Sequence, residues 1–151
     1  MAAVSSSMVS APSSINLSLA LSDAEQRVAE PLLSLLLADN EHLTYFSDRD
    51  QSSIMIKRFI DGRGLACPMP LLKTKVALRD VANEESLYVV ATDANSQADI
   101  AAFCRQSQQT DATDTLLLTV NQVTTRKVAT GSSVQHSDTI YHFIITKTDS
   151  N

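Results

Sequence analysis

The spacing of apolar and polar positions predicts a helical segment first and then alternating strands and helices. Residues 1 to about 20 are rich in serine and alanine, lack charge and periodicity, and are expected to form a disordered tail. The stretch LSDAEQRVAEPLLSLLLADNEHL then places Ser22 and Glu25 as a capping box ahead of leucines at helical spacing. We predict a helical segment from about residue 22 to 46. Pro31 favours a break into two helices, the second of which starts at the proline.

One face of this helical segment is strongly apolar and must be covered. Its members recur every three or four residues and are Val28, Leu32, Leu33, Leu36 and Leu37. Packing on the rest of the chain and self-association both satisfy this requirement, and the sequence leaves the choice open.

From about residue 55 the pattern alternates between strands and helices. IMIKRFIDGRG predicts a strand that ends in a Gly-x-Gly turn, and the residues from Pro68 to Asp80 form an amphipathic pattern typical of a helix. SLYVVAT is a continuously apolar strand, and NSQADIAAFCRQS is a second helix with Ser96 as its cap. TLLLTVNQV and TIYHFIITK are two further strands, separated by a long polar connection over residues 124–138.

The resulting order β-α-β-α-β-β indicates an α+β fold. Its simplest packing is a two-layer α/β sandwich, in which a four-stranded mixed sheet carries two helices on one face. We expect residues 54–151 to form this domain and residues 1–53 to be an N-terminal helical extension. A chain of 151 residues with 44% hydrophobic composition suffices for one such core.

Composition narrows the classes of function. The two cysteines, Cys67 and Cys104, lie too far apart for a C-x-x-C pair, and with three scattered histidines they form no zinc pattern, so we predict no metal site and a reduced, cytoplasmic setting. The longest apolar run, LLSLLLA, is much shorter than a membrane span requires, and no membrane association is expected.

Basic residues concentrate around Cys67. The window from residue 49 to 79 holds seven of the twelve basic residues and two of the seventeen acidic residues. Such a window could steer an acidic protein face or RNA phosphates towards Cys67 and could favour a thiolate, or it could be a solvated surface that happens to be basic.

Cys67 stands directly before a Pro-Met-Pro triplet. If the helix opens at Pro68, the sulfur takes the cap position, where free N–H groups and the helix dipole favour a thiolate. Pro68 and Pro70 both fall in the first turn, where a missing N–H costs nothing. A lone activated thiol, with neither a resolving cysteine nor a catalytic base motif nearby, suits group transfer.

DGRGLACPMPLLKTKVAL resembles the signature of the TusA/SirA family of small sulfur carriers, whose hallmark is Cys-Pro-x-Pro. SLYVVATDANSQADIAAFCR extends the resemblance, which covers about residues 57–147. It implies that Cys67 accepts sulfane sulfur as a persulfide from a cysteine desulfurase and passes it to a downstream acceptor protein. The best known relay of this family ends in 2-thiouridine of tRNA. No cofactor is implied.

We assign roles to the neighbours of Cys67 from their positions in and around the motif. Gly64, Pro68 and Pro70 are the structural parts of the motif, and a second set could contact the thiolate or a partner, namely Arg63, Met69, Lys73 and Lys75. Asp61 and Asp93 follow strands and are expected to satisfy turn backbone groups. Cys104 lies on an apolar helical face and is expected in the core.

Two other classes of function remain open. The first is a non-catalytic binding or regulatory module that docks a protein partner through the same surface, with the leucine-rich segment mediating oligomerisation. The second, direct nucleic-acid binding through the basic window, ranks last, because aromatic residues make up only 5% of the chain and stacking surfaces would be scarce.

Overall fold

The computed structural model describes residues 15–39, 54–109, 114–129 and 135–149. In chain order the elements are β1 (Ile15–Leu17), α1 (Asp23–Asp39), β2 (Ile54–Gly62), α2 (Met69–Leu78), β3 (Ser86–Ala91), α3 (Asn95–Gln109), β4 (Asp114–Ala129) and β5 (Gln135–Asp149). Within these residues, no helix combines the length and apolar character that a bilayer crossing demands.

The sheet is mixed, with strand order β1-β2-β3-β5-β4. β1, β2 and β3 are parallel, whereas β5 runs antiparallel to both β3 and β4. The predicted α+β class is confirmed, but the predicted four-stranded sheet is wrong, because β1 adds a fifth strand beside β2. This strand lies in the segment expected to be a disordered tail. Three residues are too few to produce a periodic signal of their own.

Helices cover both faces of the sheet, so the predicted two-layer sandwich becomes three layers. Leu87, Val89 and Ala91 of β3 share one buried cluster with residues of α2 and α3. Tyr88 and Val90, which point to the opposite face, share the other cluster with α1. All six residues of β3 are buried, and such a central strand needs cover on both sides.

The leucine face of α1 packs on the sheet. Its buried residues Ala29, Leu32, Leu33 and Leu36 belong to the same cluster as Phe59 and Tyr88 of the sheet. Of the two alternatives that the sequence left open, packing on the rest of the chain therefore accounts for this face.

The capping box at the start of α1 is confirmed, whereas the predicted break at Pro31 is wrong. The Ser22 N–H donates to Glu25 Oε1 at 2.9 Å, and the Glu25 N–H donates to Ser22 Oγ at 3.1 Å. α1 continues through Pro31, which lies on the exposed side, where water can hydrate the carbonyl that the missing N–H leaves free. Buried residues on both sides of the proline, Ala29 and Leu32, hold the helix against the sheet.

The polar connection predicted over residues 124–138 is mostly strand. β4 continues to Ala129 and β5 begins at Gln135, and the two pair as far as Ala129 opposite Gln135. β-branched residues are frequent in VTTRKVAT, and they favour a strand even where the sequence is polar.

A polar chain of three side chains is buried under α1. The Tyr88 hydroxyl lies 2.7 Å from His142 Nδ1, and Thr124 Oγ1 lies 2.8 Å from His142 Nε2. Neutral imidazole offers one donor and one acceptor, so both ring nitrogens are satisfied without charge. Burial lowers the pKa of His142 to about 4.

The packing of α1 predicts different costs for two neighbouring leucines. Leu36→Ala removes a fully buried side chain, and we expect it to lower the free energy of unfolding by about 2–4 kcal/mol. Leu37→Ala is the matched control, because Leu37 is 40% exposed and its loss should cost less than about 1 kcal/mol. Urea unfolding of both variants measures the difference, and equal costs would contradict the packing of α1 on the sheet.

The burial of neutral His142 predicts that acid weakens the fold. Its pKa is lower in the folded chain than the ordinary 6.5, so its contribution is complete above pH 6.5 and is lost as the pH falls towards about 4. Between pH 6.5 and about pH 5 we expect a loss of about 2 kcal/mol from this group, measured by urea unfolding at each pH. His142→Gln should flatten this dependence, and an unchanged slope would refute the assignment.

Candidate functional site

Cys67 lies where the carboxyl ends of two parallel strands meet. β2 and β3 are adjacent and parallel, so the loops that follow them leave the sheet at the same edge. The first loop carries Cys67 and the second carries Asp93. Gly64 joins the loops, because its N–H donates to Thr92 Oγ1 at 2.9 Å.

Two glycines permit the tight path of the chain into this loop. Gly64 has φ +79°, a backbone conformation that other residues adopt only at a cost. Gly62, which ends β2, is closely packed, since a Cβ there would lie 2.9 Å from the Val90 carbonyl oxygen and 3.4 Å from Pro70 Cβ. The structural role predicted for Gly64 thus has a physical basis, whereas the close approach at Gly62 depends on packing between distant parts of the chain.

α2 begins one residue later than the sequence predicts. Met69 is its first residue and Pro68 takes the cap position. Cys67 precedes the cap and is joined to Pro68 by a cis peptide bond. The Met69 N–H donates to the Ala66 carbonyl oxygen at 2.9 Å, so a tight turn occupies the place predicted for the first helical residue. Pro70 lies in the first turn of α2 as predicted and is buried.

Two carboxylates contact Cys67. Asp93 Oδ2 accepts the Cys67 N–H at 2.5 Å, while its Oδ1 accepts the Asn95 N–H at 3.0 Å. Asp99 Oδ2, on the first turns of α3, accepts the Cys67 S–H at 2.5 Å. The expected turn role of Asp93 is therefore confirmed, and its carboxylate does what Ser96 was predicted to do at the start of α3. Ser96 itself is a buried residue inside that helix.

The thiol is exposed, but its surroundings in the free protein favour the protonated form. The hydrogen bond to Asp99 raises the pKa of Cys67 above its ordinary value, and partial desolvation and the charges of Asp99 and Asp93 act in the same direction. The prediction of a lowered pKa is wrong here. It counted the helix terminus and the basic window but not Asp99 of α3 and Asp93 of the loop before α3.

The predicted cationic neighbours lie around the loop and are partly engaged elsewhere. Arg63 forms a bidentate ion pair with Asp61, at 2.8 Å and 2.9 Å, and this pair lowers the pKa of Asp61 and raises that of Arg63. The Lys75 ammonium lies 5.2 Å from the centre of the Phe103 ring, which is a cation–π contact. Lys73 is exposed on α2.

An exposed apolar strip begins next to Cys67. Met69, Leu72 and Val76 follow one side of α2 and are 43%, 45% and 57% exposed. Cys104, in contrast, is a core residue as predicted, and burial raises its pKa to about 12. Of the two thiols, only that of Cys67 is accessible.

Asp99 is the site residue that sequence reasoning missed. A signal existed, because Asp99 lies one helical turn into the element after the second parallel strand, at the edge where the Cys67 loop emerges. Its contact with the sulfur depends on the exact packing of α2 and α3, which periodicity does not encode.

Comparison with known proteins agrees with the motif around Cys67. The family model described as Sulfurtransferase TusA matches residues 58–113. YrkI of Bacillus subtilis, which is named as a sulfur carrier protein, is 36% identical over 64 residues, which cover 39% of this chain and 85% of YrkI. The chain belongs to the TusA/SirA family. The resemblance stated from the sequence is thereby confirmed.

Other TusA-family relatives are matched over smaller shares of their length. The sulfur carrier protein TusA of Allochromatium vinosum is 40% identical over 48 residues, which cover 32% of this chain and 63% of that protein. YrkF of Bacillus subtilis, also named as a sulfur carrier, is 44% identical over 48 residues, 32% of this chain and 26% of YrkF. This chain therefore shares with these two relatives less than two thirds of their length.

The different burial of the two cysteines predicts selective modification. We expect iodoacetamide to label the folded protein once, on Cys67, because Cys104 is only 2% exposed. In urea both cysteines should react, and a folded Cys67→Ser variant should stay almost unlabelled. Mass spectrometry counts the labels, and labelling of folded Cys104 would contradict this arrangement.

Proposed function

We propose that this TusA-family protein is a sulfur carrier that holds sulfane sulfur as a persulfide on Cys67. The observation that carries the proposal is the combination of an exposed Cys67 with the Cys-Pro-Met-Pro motif, in a loop held by Gly64 and Asp93. The names of the relatives YrkI and TusA support the same role.

The transfer is a thiol–persulfide exchange. Cys67 Sγ attacks the outer sulfur of a donor persulfide, a new S–S bond forms, and the donor's own S–S bond breaks. The donor leaves as a thiolate and takes up the proton that Cys67 loses. Electrons balance without an added oxidant, so the exchange requires no cofactor.

The donor that we propose is a cysteine desulfurase, and the receiver is a downstream acceptor protein, in a relay that serves 2-thiouridine formation in tRNA. Both steps take place in the cytoplasm, where thiols stay reduced. We assign this role to the carrier domain, residues 54–151, and regard residues 1–53 as an extension to it.

The apolar strip Met69, Leu72 and Val76 supports contact with protein partners, because it adjoins Cys67 and is flanked on the same helix by Lys73. The strip equally favours a second candidate function, a non-catalytic docking module. The two functions differ in their need for the sulfur of Cys67.

Sulfur loading tests the first function. After incubation with a cysteine desulfurase and cysteine, we expect the intact mass of the protein to rise by one sulfur atom on Cys67, and reductant should reverse the gain. The matched Cys67→Ser variant should gain nothing, because an alcohol cannot form the S–S bond.

The same variant separates the two functions. Binding of the desulfurase to the wild-type protein and to Cys67→Ser is measured by calorimetry. Equal binding with loading only in the wild-type protein is the result expected for a carrier. If the wild-type protein binds the desulfurase but gains no sulfur, the protein is a docking module and not a carrier.

A further inference from the structure

We propose that Asp99 makes Cys67 selective for protein donors of sulfur, by holding the thiol proton in the free protein until a cationic group of a docked donor pairs with the Asp99 carboxylate. The inference rests on the proposed carrier function and adds to it the residue that controls when the sulfur reacts. It also gives the chemistry of the donor surface, which carries a lysine or arginine opposite Asp99.

The geometry around the sulfur supports this role. Cys67 is exposed, yet its S–H donates to Asp99 Oδ2 at 2.5 Å. The Asp99 side chain is itself partly exposed, so a docked protein can reach it. Asp93 fixes the Cys67 backbone through the N–H contact and keeps the sulfur next to α3.

The charged groups of the surrounding elements leave the thiol beside two negative charges. The loop after β3 supplies Asp93 and α3 supplies Asp99, and both raise the pKa of Cys67. The loop after β2 supplies Arg63, which is committed to Asp61. On α2, Lys75 lies over Phe103 and Lys73 is exposed, while α3 also carries the exposed Arg105.

The chemistry of the exchange explains why a held proton gives selectivity. The thiolate is the nucleophile, and a carboxylate that accepts the S–H hydrogen bond stabilises the thiol instead. A cation paired with Asp99 weakens the hydrogen bond that the carboxylate accepts from the Cys67 S–H. The thiolate then becomes more populated. The proton that Cys67 loses goes to solvent, and the departing donor thiolate takes up a proton as the new S–S bond forms. Small persulfides and oxidants carry no fixed cation, so they meet mainly the unreactive thiol.

The pH profile of alkylation tests whether Asp99 stabilises the protonated thiol of Cys67. This measurement does not depend on sulfur transfer. Asp99→Asn keeps the shape of the side chain, removes the charge and offers an N–H to the thiolate. We expect its iodoacetamide rate at pH 7 to rise about three- to tenfold, with the midpoint moved to lower pH by up to about one unit. Unfolding curves of the variant verify that the fold is intact.

Two control variants define the effect. Asp93→Asn removes a charge but not the contact with the sulfur, so its profile should shift less than that of Asp99→Asn. Asp23→Asn, in the first turn of α1, should leave the profile unchanged. An unshifted profile for Asp99→Asn would overturn the proposal, as would an equal shift for Asp23→Asn.

Sulfur loading from two donors tests selectivity. With inorganic polysulfide, Asp99→Asn should load faster than wild type. With a cysteine desulfurase it should need a higher donor concentration for half-maximal rate, because a charge pair is lost. Slower loading from polysulfide would overturn the proposal and make Asp99 a base required for attack. If neither protein gains sulfur from either donor, the carrier function fails, while the alkylation profile still decides whether Asp99 holds the proton.

Discussion

The parallel pairing of β2 with β3 is the constraint on which the site depends. Parallel neighbours end at one edge of the sheet, so the loop with Cys67 and the loop with Asp93 must meet there, although 25 residues separate these two positions in the chain. The hydrogen bonds from Gly64 to Thr92 and from Cys67 to Asp93 follow from this meeting. An antiparallel arrangement of the same two strands would carry the loops to opposite edges and separate the sulfur from both carboxylates.

The same pairing determines how the remaining elements pack. A parallel connection needs a crossover, and α2 supplies it on one face of the sheet. With α3 on that face as well, the other side of β3 would expose Tyr88 and Val90. α1 covers these residues, and β1 continues the parallel order beyond β2. β1 and α1 thereby add to the hydrophobic core on this face of the sheet, and the buried Tyr88–His142–Thr124 chain lies against that core.

The features that depend on local interactions were predicted correctly from the sequence. The capping box at Ser22 and Glu25, the buried strand β3, the core position of Cys104 and the motif around Cys67 all depend on near neighbours or on burial periodicity, and the sequence was sufficient for them. β1 and the continuity of α1 through Pro31 depend on tertiary packing, which outweighs a weak local signal or a single missing hydrogen bond. The contact between Asp99 and Cys67 is of the same kind. The direction of the pKa shift of the thiol could not be predicted correctly without it, because the hydrogen bond to Asp99 is the largest influence on that pKa.

This electrostatic setting fits a thiol that must be open to large partners. A buried cysteine such as Cys104 is protected by exclusion of reagents, but no partner can reach it either. An exposed thiolate at Cys67 would react with any electrophile or oxidant, since thiolate character and access together govern susceptibility. An exposed thiol with its proton held by a carboxylate avoids both problems. Its reactivity then depends on the charge that a partner brings to Asp99, and recognition of the partner and activation of the sulfur become one event.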